Sequence, residues 1–236
     1  AASDVYKRQD QYTGHVKAIV GGRGAKTTSL SLNRATASPK QPGSCFKVLS
    51  TYAPGLNECG MTLATTIKDE PYRYASGQPV NNWDNKYIGS ARVRYAIEHS
   101  MNVCAVRTLT ETVGLEKGYK YLENFGFTTL VNNDPNYPGM SDIAQATALG
   151  GITRGVYNIE MTAAYAAIAN SGIYTEPLLY TEILDHDGNV LIDNSKPITR
   201  RVLKESTAFL LTSAMQDVIN RGTGTPARLN NMPAAG

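Results

Sequence analysis

The sequence predicts an α+β fold in which helices outnumber strands. Two observations carry this. Apolar residues recur at helical spacing in several stretches beyond residue 90, whereas strand patterns are confined to Val16–Val20 and a hairpin signal at 178–193. Composition agrees: of 236 residues, 42% are hydrophobic and 18% charged, which supports a packed core and argues against global disorder. The length allows one large domain or two small ones.

Residues 1–9 match what a transposase sequencing adapter encodes in one frame, so they are set aside from the fold as an assembly scar. The gene's own start is then expected to lie elsewhere. Tyr12-Thr13-Gly14-His15 reads as a turn leading into a strand over Val16–Val20. Gly21-Gly22-Arg23-Gly24 ends that strand; it lacks the spacing of a phosphate-binding loop and is read as a chain reversal. Residues 25–43 are polar and loop-like, and a helix is predicted to begin at Ser44, whose hydroxyl would cap the first free amides.

Residues 55–89 hold Gly, Pro, Asn and aromatics without sustained period and read as a long surface excursion, more often functional than filler. Helical spacing returns with Val93, Ala96 and Ile97. After a break at Ser100-Met101-Asn102 it resumes with Val103, Val106, Leu109 and Val113. Further helices are predicted at 115–125, 141–149, 158–170 and 202–220. In the last, Val202, Leu203, Leu210, Leu211, Ala214, Met215 and Val218 form a core-facing stripe. The hairpin turns at Asp187-Gly188-Asn189.

Several function classes are excluded. A net charge of +3, with scattered basic residues and no interleaved aromatics, gives no footprint for nucleic acid. Cys45, Cys59 and Cys104 are too few and too scattered for a disulfide framework. Together with the three histidines they offer no metal-binding spacing, so they are read as buried or half-buried thiols. No apolar run reaches transmembrane length.

Chemistry enters with Ser44-Cys45-Phe46-Lys47. Residues i and i+3 share a helix face about 5–6 Å apart at Cβ, so a hydroxyl and an amine can meet there. Burial lowers a lysine toward the neutral form that a base requires, and the amides of a helix start can hold a developing oxyanion. Alone the tetrad is weak: roughly one S-x-x-K arises by chance in such a chain, and a capping serine with a surface lysine explains it. Ser100-Met101-Asn102 is a second polar triplet at a helix break. Ser31-Leu32-Asn33 shares its pattern, and either copy alone reads as a turn or cap.

In order, Ser44-x-x-Lys47 and Ser100-x-Asn102 resemble the motif set of penicillin-binding proteins and serine β-lactamases. The flanks sharpen the match. Asn33-Arg34-Ala35-Thr36, Gln41-Pro42-Gly43 and Phe46-Lys47 are similar to the nucleophile region of class A (bifunctional) penicillin-binding proteins. Tyr12-Thr13-Gly14 through Gly21-Gly22 is similar to the strand and turn that precede that region. Ala148-Leu149-Gly150-Gly151, Ala164-Tyr165-Ala166 and Ala169-Asn170 resemble the family's downstream helices. The resemblance runs from about Asp10 to Gly236.

The resemblance implies an α+β penicillin-binding transpeptidase / serine β-lactamase-like fold. It implies a D,D-transpeptidase that cross-links peptidoglycan stem peptides through a serine acyl-enzyme and is trapped by β-lactams. Ser44 would be the nucleophile, Lys47 the base, Ser100 the proton relay to the leaving amine, and Asn102 the residue that holds the substrate amide and Lys47. No metal or organic cofactor is implied. The parent is expected to carry an upstream glycosyltransferase domain and to be extracytoplasmic, held to the membrane only through an anchor outside this chain.

Three departures stand out. Cys45 occupies a place that usually holds Ser, Thr or Ala; its side chain is expected on another helix face, away from the chemistry. Lys40 stands where the family often has Arg. A Lys-Thr-Gly triplet is absent: Gly222-Thr223-Gly224 follows a predicted helix and is not accepted in its place. The expected triplet would follow Gly236, so the domain is read as truncated, its helical lobe dominating and most of the central antiparallel sheet missing. Exposed apolar helix faces and weak or no activity in the fragment follow from that reading. Rival readings are a D,D-carboxypeptidase or β-lactamase of the same fold, a non-catalytic penicillin-recognising sensor or scaffold, and a Ser-His-Asp hydrolase. The last lacks a G-x-S-x-G elbow, and no motif ties His15, His99 or His186 to Ser44. Glu98 is read as a helix-surface acid.

Overall fold

In a computed structural model, which describes residues 6–25 and 27–236, β1 (Tyr6–Gln9) pairs antiparallel with β2 (Val16–Val20). Residues 6–9, set aside on sequence grounds, thus occupy a ladder position. Backbone groups make a ladder, so side-chain identity matters little at an edge. Residues 1–5 of that segment lie outside the described residues. A short helix, α1 (Arg34–Ala37), interrupts the expected loop because Asn33 Oδ1 accepts the Ala35 N–H at 3.0 Å and caps it.

The nucleophile-bearing helix is a composite. A 3₁₀ turn (Gly43–Cys45) passes into a π-helical stretch (Lys47–Tyr52) and then α2 (Ala53–Glu58). Pro54 has no N–H, and its ring would crowd the carbonyl four residues back; widening the preceding turns relieves both problems. The Ala53 N–H accordingly reaches five residues back to Val48. Ser44 is not the cap that the sequence suggested. Pro42 precedes the turn, and no side chain caps it.

The excursion at 55–89 is better ordered than expected. Its first residues complete α2. β3 (Thr66–Asp69) then pairs with β6 (Gly89–Arg92), enclosing a smaller hairpin of β4 (Tyr72–Arg73) and β5 (Pro79–Val80). Strands of two to four residues are too short for a period to register in sequence. The break at Ser100 is real: α3 (Val93–Glu98) ends, and α4 (Asn102–Thr108) begins and runs into a π turn (Leu109–Val113) and then α5 (Leu115–Asn124).

The helix expected at 141–149 shrinks to a 3₁₀ turn at Gln145–Leu149. Buried Asp142 is the reason. Its carboxylate accepts the Val131 N–H at 2.7 Å and, at 2.7 Å each, the Thr153 N–H and hydroxyl, which pins 141–144 as loop. α6 (Asn158–Ala169) agrees with the sequence, whereas α7 (Glu205–Arg221) begins after Val202 and Leu203, which join the core from the segment before it. Between them, β7 (Ile173–Thr175) pairs with β10 (Thr199–Arg201), and β8 (Glu182–Leu184) with β9 (Val190–Asp193). Among the described residues no sheet exceeds two strands, and helices dominate. Nor, among those residues, is any helix long and apolar enough to cross a membrane.

The main core joins Phe46, Leu49 and Tyr52 of the composite helix to α3, α6 and α7. Ala163, Ala164 and Ala167 are fully buried, and their small size lets α6 approach closely. The apolar faces of the helices are therefore mostly covered, contrary to expectation. Large exposed apolar residues sit mainly in loops and on the β8–β9 hairpin, with Tyr95 and Phe209 as helical exceptions.

Candidate active site

The start of the composite helix is fixed by three local devices. Gly43 adopts φ +57°, a left-handed conformation that favours glycine. The Gln41 side chain pairs with the backbone of Ile152 in both senses, its amide donating to the carbonyl at 2.5 Å and its oxygen accepting the N–H at 3.0 Å. Gly150, at φ +73°, lies so close that a Cβ there would strike the Gly43 backbone. The Gln41-Pro42-Gly43 and Leu149-Gly150-Gly151 motifs thus form one clamp around the turn that carries Ser44. Tyr165 of α6 donates to the Cys45 carbonyl at 2.8 Å and braces the turn from another side.

The 3₁₀ turn carries Ser44, and Lys47 opens the π-helical stretch that follows it, three residues along the same helical run. Both line a cavity of about 170 Å³, together with Cys45, Ser100, Tyr165 and Thr223. Cys45 was expected on another face. It lines this cavity and also a neighbouring one bounded by Lys40, Gln41 and Asn158. Thr223 also faces the cavity, yet it follows α7 directly, with no strand beneath it.

Lys47 is the centre of the arrangement. It is 3% exposed, and its Nζ donates to the Ser100 carbonyl at 2.6 Å, Ser100 Oγ at 3.0 Å and Asn102 Oδ1 at 2.6 Å. Three acceptors match the three hydrogens of an ammonium. Once a proton leaves, two N–H groups suffice for the two carbonyl oxygens, and the lone pair can accept the Ser100 hydroxyl. Burial lowers the amine to about 8, within reach of neutrality at ordinary pH.

Ser100 sits at φ +51°, a left-handed conformation that is uncommon for a residue with a side chain. That local reversal separates α3 from α4 and aims both its carbonyl and hydroxyl at Lys47. Asn102, at the start of α4, donates from Nδ2 to the Asn81 carbonyl at 2.8 Å, leaving Oδ1 for Lys47. The four residues singled out from sequence are thereby gathered: Ser44, Lys47 and Ser100 around one cavity, Asn102 through its bond to Lys47.

Sequence reasoning missed the supports. Asn82 and Asp69, both buried, come from the excursion: Asn82 accepts the Asn102 N–H and donates in turn to Asp69. The doublet Asn81-Asn82 was the only available signal. Glu98 is not a surface acid; it is 6% exposed and accepts from Arg221 Nε at 3.0 Å, tying α3 to α7. None of the three histidines lines the cavity. His99 stacks on Tyr95, His186 lies 3.2 Å from Asp187, and His15 bridges to Leu178. The cysteines are free, and among the described residues no cluster of His, Cys, Asp and Glu could hold a metal.

Residues 9–235 match the model of the penicillin binding protein transpeptidase domain. The chain is 38% identical to penicillin-binding protein 1A of Clostridium acetobutylicum over 96% of its length and 36% identical to penicillin-binding protein 1F of Bacillus subtilis over 90%. It spans 28% of the length of each of these curated relatives. Its fold is similar to that of penicillin-binding protein 1A from Haemophilus influenzae (TM-score 0.75, 25% identity, covering 98% of this chain and 36% of that one). It is likewise similar to the PonA1 protein of Mycobacterium tuberculosis in complex with penicillin V (TM-score 0.77, 23% identity, 92% and 56%).

Proposed function

The chain belongs to the penicillin-binding protein transpeptidase family and has its α+β fold, and we propose that Ser44 is the nucleophile of a D,D-transpeptidase that cross-links peptidoglycan stem peptides. The observation that carries this reading is Lys47: a buried amine, lowered to about 8, bonded to Ser100 and Asn102 beside the cavity that Ser44 lines.

The steps follow from that geometry. Neutral Lys47 takes the Ser44 proton as Oγ bonds to the carbonyl carbon between two terminal D-alanines. The N–H groups at the start of the composite helix, which lack intrahelical partners, favour the oxyanion. The proton passes from Lys47 through the Ser100 hydroxyl to the leaving nitrogen, the C–N bond breaks, and D-alanine departs. An amine of a second stem then attacks the ester and gives up a proton, which returns by way of Ser100 and Lys47 to Ser44 Oγ as the C–O bond breaks. Asn102 holds Lys47 and offers its amide to the substrate backbone. A β-lactam would acylate Ser44 by the same first step.

We further propose that this chain is part of a longer wall-building enzyme, with a glycosyltransferase domain upstream and an anchor that places it outside the cytoplasm. Its 28% share of the relatives' length supports this. The test is labelling of the complete parent protein by a fluorescent penicillin. Covalent label is expected on Ser44, with Ser44→Ala abolishing it. Undiminished labelling of the alanine variant would remove Ser44 from the role.

A further inference from the structure

Asp69 is fully buried, yet its two hydrogen-bond partners are neutral: Oδ1 accepts from Asn82 Nδ2 at 2.8 Å and Oδ2 from the Ile88 N–H at 2.8 Å. A carboxylate kept out of water at the end of a hairpin strand is costly, and such a group persists where its orienting power is used. Asn82, 5% exposed, is the neighbour it orients. Its Nδ2 also donates to the Lys86 carbonyl at 2.9 Å, while its Oδ1 accepts the Asn102 N–H at 3.0 Å and the Val103 N–H at 3.2 Å.

The donor and acceptor logic runs in one direction. Asp69 Oδ1 accepts from Asn82 Nδ2, so Asn82 turns its NH₂ toward Asp69 and its oxygen toward the start of α4. That oxygen caps α4 from a segment remote in sequence. The adjacent Asn81 carbonyl accepts Asn102 Nδ2, so Asn102 must present Oδ1 to Lys47. We infer that Asp69 and Asn82 are positioning residues, which lock the orientation of Asn102 and through it the placement of Lys47. This rests on the transpeptidase reading of Ser44 and Lys47. It adds to that reading a buried carboxylate that touches neither substrate nor Lys47.

Asp69→Asn tests it with almost no change of shape. The Ile88 N–H claims the new carbonyl oxygen, which leaves an NH₂ facing the NH₂ of Asn82. Either that clash stands or Asn82 turns over and presents NH₂ to the N–H groups of Asn102 and Val103. Acylation of the complete parent protein by a fluorescent penicillin is measured across pH 6–10. We expect a fall of roughly tenfold to a hundredfold, the span of one unsatisfied buried polar group. The alkaline-rising limb should move to lower pH, because a displaced Asn102 carbonyl no longer favours the Lys47 ammonium. Asp69→Asn with Asn82→Asp should recover part of the rate, since the pair again has one donor facing one acceptor.

An unchanged rate in folded Asp69→Asn overturns the proposal. So does a fall with an unmoved limb and no recovery in the double variant, which marks a purely structural role. If Asp69→Asn does not fold, Asn82→Ala is read instead for the same fall and limb shift, and an unchanged profile there overturns the proposal. If the unsubstituted protein takes no label at all, the transpeptidase reading fails first, and this inference falls with it.

Discussion

At the scale of single residues, the site depends on how burial changes what a lysine can do. Desolvation disfavours the charged amine and brings Lys47 from its ordinary 10.5 down to about 8, with Cys104 and Cys45 acting weakly in the opposite direction. If neutral Lys47 is the base, the acylation rate should rise about tenfold per pH unit below pH 8 and flatten above it. A flat profile between pH 6 and 9 in stopped-flow acylation would exclude that role. Stability has the same sign. Between about 8 and 10.5 the unfolded chain binds more protons at this residue than the folded one, so folding is favoured as pH rises through that window. The residue types were legible in sequence, because S-x-x-K and S-x-N are short and ordered. The burial that activates Lys47 was not, since it arises from helices contributed by distant parts of the chain.

At the scale of elements, the composite helix 43–58 shows how geometry departs from an ideal pattern where function needs it. The 3₁₀ start carries Ser44, and the π stretch, which Lys47 opens, accommodates Pro54. Gly150 is the test of the clamp. An alanine there must take φ +73° and place its Cβ against the Gly43 backbone. Gly150→Ala should cost more than about 2 kcal/mol of stability and slow acylation, because only movement of the Ser44 turn relieves the contact. Chemical denaturation read beside acylation checks both; a change below about 0.5 kcal/mol would show that the clamp yields freely. The sequence placed α6 and the body of α7 well because long stretches free of Gly and Pro carry many concordant helix-compatible positions. It misread 141–149 because one buried aspartate, Asp142, outweighs local helix preference by holding Val131 and Thr153.

At the scale of the whole molecule, the helical lobe is packed and the sheets are small. The chain covers 56% of the PonA1 chain and 36% of the Haemophilus influenzae protein while sharing their fold. We propose that the longer parent protein, of whose relatives this chain spans 28%, supplies a second oxyanion donor from residues other than these 236. One such donor is worth about 10²–10³ in rate. The isolated chain is therefore expected to acylate at least about 10²-fold more slowly than the complete parent protein under identical conditions. Equal second-order rates would show that the described lobe suffices.

What the sequence determined by itself was chemical identity and order: a serine and lysine at a helix start, a second serine and asparagine at a helix break, and the long helices around them. These are local properties, fixed by spacing along one chain. The tertiary structure alone decided the rest. It buried Lys47, made Asn82 the cap of α4, set Asp69 behind it, and turned two glycine-bearing loops into one clamp. Each of those contacts joins residues far apart in sequence, and packing rather than periodicity brings them together.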